Sequence, residues 1–113
     1  MADRANASTR RPRHDLGTID DLGLAAARDA DRLLAAARER GLARWVTFLE
    51  PFPDRLRDEE LPALRATATR ARAAYGAKDS IRDALPPDLT EPFLDALDRL
   101  RREIDRELNR ARG

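Results

Sequence analysis

The spacing of apolar residues constrains the fold of this 113-residue chain more than any other sequence feature. Apolar residues recur every three or four positions along most of the chain, which places them on one face of successive helices. No segment alternates with the two-residue period of a half-buried strand, and β-branched residues are few. The pattern predicts an all-α fold, a small helical bundle, and its longest stripe is Phe93, Leu97, Leu100, Ile104, Leu108 and Ala111.

Turn and cap residues divide this pattern into five helices. Residues suited to N-cap positions precede the three longest segments, and glycines follow the first two of them. We therefore predict three principal helices over residues 19–40, 59–75 and 91–110, together with short helices near residues 42–49 and 79–84. Between residues 50 and 58, two closely spaced prolines predict a turn without helix of its own.

The N-terminal segment lacks the periodicity of the remaining chain. Residues 1–17 hold four arginines and two aspartates, a net charge of +2, and include the single histidine, His14. Such segments are typically mobile, so we expect a flexible basic tail over residues 1–17 and one helical-bundle domain over residues 18–113. The alternative is a basic arm that contacts a phosphate backbone or an acidic partner.

Three of the five aromatic residues, Trp45, Phe48 and Phe52, lie within eight residues of one another. Aromatic side chains bury large areas, and we expect Trp45 to lie in the core. Two interpretations of the other two remain open. Phe48 and Phe52 either complete the core or form an exposed apolar patch that receives a partner.

Composition limits the class of protein. Basic and acidic residues number 22 and 21, so no net charge draws the whole chain to nucleic acid or to a membrane. The chain has no cysteine and therefore no disulfide or thiolate metal site. Its apolar runs are too short to span a membrane, and its first residues do not form an apolar signal peptide. We expect a cytoplasmic protein.

Motifs of catalysis are missing from the sequence. No phosphate-binding glycine loop, nucleophile elbow or Glu-x-x-His pair occurs. A nucleophile also needs a positioned base, and the only histidine lies in the predicted tail. We therefore expect no cofactor, no metal and no enzymatic activity, although a buried pair of carboxylates would still allow one.

The last helix favours a role in protein–protein interaction. Its apolar stripe is continuous for about five turns, and few elements in a chain of this length would cover all of it. The leading hypothesis is a non-enzymatic interaction or scaffold protein that forms a homodimer. A second copy would then cover Leu100, Ile104 and Leu108. The competing expectation is that the first helix covers the stripe completely.

Two binding alternatives remain. Residues 99–112 hold six arginines against three acidic residues, and residues 61–85 also carry a net charge of +3. Aligned with the N-terminal arm, these faces would bind nucleic acid. In the loop over residues 75–82, Lys78, Ser80 and Arg82 lie near a predicted helix start and form a candidate anion or phosphate site. An ordinary capped helix with exposed charges explains the same loop.

Overall fold

The computed structural model describes residues 11–112, and every regular element within that range is helical. The prediction of an all-α bundle is confirmed. The six α-helices are α1 Gly17–Glu39, α2 Ala43–Leu49, α3 Phe52–Asp58, α4 Leu61–Arg72, α5 Ile81–Ala84 and α6 Pro87–Arg112. Two 3₁₀ turns, Arg13–Asp15 and Ala73–Tyr75, precede α1 and follow α4.

Four helices form an up-and-down bundle. Helix α1 packs against α3 and α6, and α4 packs against the same two helices, so α3 and α6 occupy diagonal positions. Ion pairs from Arg65 to Asp105 and from Arg72 to Asp98 show that α4 and α6 are antiparallel. Helix α2 also packs on α1, near the C-terminal end of α1, where Phe48 of α2 contacts Phe52 at the start of α3. The C-terminus of α6 therefore lies beside the N-termini of α1 and α4.

The aromatic segment closes one side of the core. Trp45 and Phe52 are buried, with 8% and 1% of their surface exposed. Phe48 is half-buried and packs edge-on against both of them, with ring centroids 5.7 Å and 5.1 Å apart. The face of α1 that meets the other helices consists mainly of small side chains, which allow close approach of the backbones: Ala26, Ala27, Ala30 and Ala37.

The largest difference from the predicted helices is α3. The sequence analysis assigned its residues to a turn, because two prolines usually interrupt a helix. Here Pro51 precedes α3 and Pro53 lies in its first turn, where a proline costs no intrahelical hydrogen bond and its fixed φ suits the helix. Leu56 then completes a buried face of α3 with Phe52.

The last helix begins earlier than predicted. It starts at Pro87, whose fixed φ again suits a first helical position, so Thr90 lies inside α6 instead of capping it. The other two long helices agree with the prediction to within a few residues at each end. Helix α4 begins at Leu61 because Glu60 is extended, with a ψ of 173°.

The predicted tail joins the domain in part. Residues 1–10 lie outside the described residues, so the prediction for them stays untested. Residues 11–16 pack against the bundle, and both Arg13 and Leu16 are buried, with 3% and 7% of their surface exposed. The described part of the tail therefore packs with the helical domain, because Arg13 is bonded to Asp20 of α1 and to Glu59 and Glu60 between α3 and α4.

Candidate functional site

The apolar stripe of α6 extends beyond the part of the helix that α1 and α4 cover. Phe93, Leu97, Leu100 and Ile104 are completely buried, Leu108 is half-buried, and Ala111 is exposed. Helix α1 begins at Gly17 and α4 begins at Leu61, so only the first turn of each helix lies beside the last turn of α6. We call this last part, Leu108–Arg112, the α6 overhang.

Three of the predicted partner-binding residues are core residues. Leu100 and Ile104 are covered by α1 and α4 of the same chain and not by a second copy, although α1 does not cover the whole stripe as the competing expectation held. Phe52, the first residue of α3, packs against Phe48 of α2 and has 1% of its surface exposed. A partner cannot contact these three side chains in this fold. Phe48 and Leu108 remain accessible in part.

A groove of about 350 Å³ lies between the α6 overhang and the first turn of α4. Its apolar part is formed by Leu61, Pro62, Leu108 and Ala111. Charged side chains of both signs line the rest of it, namely Arg11, Glu107 and Arg112. The arrangement is an apolar depression with a mixed charged rim, which suits a small protein interface.

Arg13 fastens the N-terminal segment beside this groove. Its Nε donates to Asp20 Oδ1 at 2.9 Å, its Nη1 donates to the Glu59 carbonyl at 3.1 Å, and its backbone N–H donates to Glu60 Oε1 at 2.8 Å. The Glu59 carboxylate also accepts a hydrogen bond from the hydroxyl of Thr67. The cluster joins the start of α1 to the link between α3 and α4, and thereby places Arg11 on the groove.

Gly23 provides the space for this arginine. A Cβ added at Gly23 would lie 2.9 Å from Arg13 Cζ and 3.1 Å from the Leu56 carbonyl oxygen. Arg13 Nη2 is buried against the glycine and has no hydrogen-bond partner. Sequence reasoning did not find this cluster. The available signal was Gly23 itself, because glycine destabilises the interior of a helix relative to alanine. A glycine inside an alanine-rich helix therefore indicates that another group packs where a Cβ would lie.

A second, smaller apolar surface lies at the opposite end of the bundle. Leu42, Val46 and Phe48 are half-buried on α2, and the side chain of Arg44 stacks over Trp45 at 5.0 Å. No cavity among those described opens onto this surface. It is therefore less suited than the groove at α6 to receive a protruding side chain.

Two residues of the candidate anion site form hydrogen bonds with other residues of the same chain. The Arg82 guanidinium donates two hydrogen bonds to Glu91, at 2.9 Å and 2.8 Å, and stacks over Tyr75. The hydrogen bond from Arg82, followed by one from Thr90, lowers the pKa of the Glu91 carboxyl. Ser80 accepts a hydrogen bond from the backbone N–H of Arg82 and caps α5. The structure thus brings Ser80 and Arg82 together as a helix cap, and of the three predicted residues only Lys78 is exposed without an ion pair among the described residues.

Searches for other sites and for similar proteins gave no match. Residues 11–112 contain no group of three histidine, cysteine or acidic side chains placed to hold a metal ion. None of the helices in that range has the length and apolar content that a membrane crossing requires. Comparison with known protein families, with characterised proteins and with solved structures found nothing similar to this chain.

Proposed function

We propose that this chain is a non-enzymatic interaction protein that forms a homodimer through the α6 overhang. One observation carries the proposal: along a single stripe, Ile104 is completely buried, Leu108 is half-buried and Ala111 is exposed. Covering apolar surface releases about 25 cal/mol for each Å² removed from water. A second helix laid on the overhang would continue the packing that α1 and α4 provide further along α6.

The charges around the groove favour a second copy as the occupant. A two-fold interface uses the same surface on both subunits, so that surface must be complementary to itself. The rim of the groove carries Glu107 together with Arg11 and Arg112. When two copies face each other, the carboxylate of one lies opposite a guanidinium of the other. A rim of one charge would repel its own copy.

The use of the polar side chains supports a non-enzymatic role. Two partly buried carboxylates are bonded within the bundle, in the pairs of Asp105 with Arg65 and Glu91 with Arg82. The bond from Arg65 lowers the pKa of Asp105, so this carboxylate is ionised and paired instead of available as a general acid. A cytoplasmic location and the absence of a cofactor remain predictions from the sequence.

The mass in solution tests the proposal. Sedimentation equilibrium over a series of concentrations reaching the millimolar range should show the wild-type chain passing from one copy to two. The variant L108Q keeps the helix propensity of α6 and removes the apolar contact, so it should remain monomeric. The matched control is F48Q, which changes the half-buried aromatic residue on α2 and should still dimerise.

Two results would contradict the proposal. A wild-type chain that stays monomeric at every concentration would exclude a homodimer. A dimer that is lost in F48Q but kept in L108Q would place the interface on α2 at the other end of the bundle. Circular dichroism of each variant separates a lost interface from a lost fold.

A further inference from the structure

A regular row of arginines runs along the outward face of the C-terminal half of α6. Arg99, Arg102, Arg106 and Arg110 follow one another at intervals of three, four and four residues, which places them on one side of the helix. We call these four residues the arginine stripe. At 1.5 Å per residue the stripe is about 16 Å long. Arg110 lies in the α6 overhang, but Leu108, the apolar residue that carries the proposed dimer contact, points the other way.

Two arginines of the stripe are much more exposed than the acidic residues with which they pair. The side chains of Arg106 and Arg110 are 66% and 67% exposed, whereas their partners Glu103 and Glu107 are only 26% and 15% exposed. Two of the three ion pairs of the stripe are long, at 3.7 Å and 3.8 Å. Among the described residues, Arg102 has no acidic partner within 4.0 Å. At Arg106 and Arg110 a molecule that approaches from solvent therefore meets the guanidinium group first, whereas Arg99 and Asp95 are similarly exposed, at 61% and 69%.

The pairing leaves hydrogen-bond donors free. Each guanidinium has five N–H donors in a planar fork, and a single carboxylate uses at most two of them. Exposed ion pairs of this kind contribute little stability, so exchanging the carboxylate for another anion costs little. A groove of about 370 Å³ runs along the stripe between α6 and α1. Its α1 wall is formed by Thr18 and Leu22.

We propose that the arginine stripe binds the phosphate backbone of nucleic acid, without preference for sequence. Repeated cations on a rigid helix match a polymer with a regularly repeated negative charge, and guanidinium groups bind phosphate in a bidentate manner. No aromatic side chain lies on the stripe to stack on a base. Contacts are therefore restricted to the backbone, which positions a protein but carries no sequence information.

An acidic protein fits the stripe less well. The core of a protein interface is apolar, and Leu22 is the only apolar side chain that lines the groove beside the stripe. A nucleic-acid backbone binds without an apolar surface at the centre of the contact. Binding of an acidic polypeptide is nevertheless a distinct outcome that the experiment must separate.

Fluorescence anisotropy with labelled duplex DNA of mixed sequence tests the proposal. Four phosphate contacts predict a slope of about −3.6 for the logarithm of affinity against the logarithm of salt concentration. Affinity should then fall about 150-fold between 50 mM and 200 mM salt. The variant R102Q/R106Q should halve the slope to about −1.8 and reduce that change to about 12-fold.

The matched control removes two exposed arginines elsewhere. Arg40 follows α1, and Arg55 lies on α3, diagonal to α6 in the bundle. The variant R40Q/R55Q lowers the net charge by the same amount and should keep the wild-type slope. Absence of binding at 50 mM salt, an unchanged slope in R102Q/R106Q, or equal affinity for poly-glutamate would each overturn the proposal. The variant L108Q keeps the stripe and should retain binding per chain, so failure of the homodimer and failure of the stripe are distinguishable.

Discussion

Replacing Gly23 by alanine should destabilise the protein, although alanine is the better helix former. Taken alone, the change would stabilise an interior helical position by about 1 kcal/mol. The added Cβ, however, would occupy the space of the Arg13 guanidinium, whose Cζ would be 2.9 Å away. Because Arg13 has only 3% of its surface exposed, its guanidinium must leave the cluster to make room.

The cost follows from the bonds that the guanidinium gives up. Its contacts with Asp20 and with the Glu59 carbonyl are hydrogen bonds from a charged group, each contributing about 1.5–3 kcal/mol. Taking the lower value for both, about 3 kcal/mol is lost and about 1 kcal/mol is regained from helix propensity. We therefore expect G23A to lower the free energy of unfolding by about 2 kcal/mol.

Urea denaturation of four variants tests this account as a double-mutant cycle. In the R13A background the guanidinium is absent, so G23A should stabilise the protein by up to about 1 kcal/mol. The sign of the effect therefore reverses between the two backgrounds. If G23A stabilises the wild-type protein, or if it has the same effect in both backgrounds, Arg13 is not the reason for the glycine.

Three further predictions concern single residues. Burial raises the pKa of the Asp29 carboxyl, against the opposing effect of Arg32. Ionising Asp29 therefore destabilises the folded protein at neutral pH. This cost vanishes well below pH 3.8, where the carboxyl is protonated in both the folded and the unfolded state. D29N should therefore raise the melting temperature at pH 7 but not in acid, and an equal gain at both would contradict the cause. S80A removes the cap of α5 and should cost about 1 kcal/mol in urea denaturation, whereas S80N should not. L100A should lower the free energy of unfolding by about 2–5 kcal/mol, because it leaves a cavity in the core. It should not change the solution mass at saturating concentration. Loss of the dimer in this variant would show that Leu100 lies at an interface.

Periodicity in the sequence was sufficient to predict most of the fold. Stripes of apolar residues located α1, α4 and α6, because each of these helices is long enough for the three-to-four spacing to repeat. Helix α3 was missed because it has seven residues, with Pro51 just before it and Pro53 in its first turn. About two helical turns leave too few repeats to separate helix from loop, and the buried face of α3 depends on α1 and α4.

The candidate sites were harder to predict because they depend on which surfaces other elements cover. Ile104 and Leu108 are equivalent in the sequence pattern, and only the starting points of α1 and α4 decide that the first is buried and the second half-exposed. Arg82 is a free cation in the sequence, whereas Glu91 neutralises it in the fold. Arg13 looked like part of a mobile tail because its partners are up to 47 residues away along the chain.

The two proposed surfaces lie on one helix, and the apolar side chains of the overhang are not part of the arginine stripe. Leu108 is two residues from both Arg106 and Arg110, and two residues turn an α-helix by about 200°, so the apolar overhang and the arginine stripe face opposite directions. A dimer formed through the overhang therefore leaves the stripes of both copies open to solvent. Charge changes on the stripe should not alter the solution mass, and L108Q should not alter the salt dependence of binding for each chain. If one substitution removed both properties, α6 would have a single shared surface, and the two proposals would have to be replaced by one.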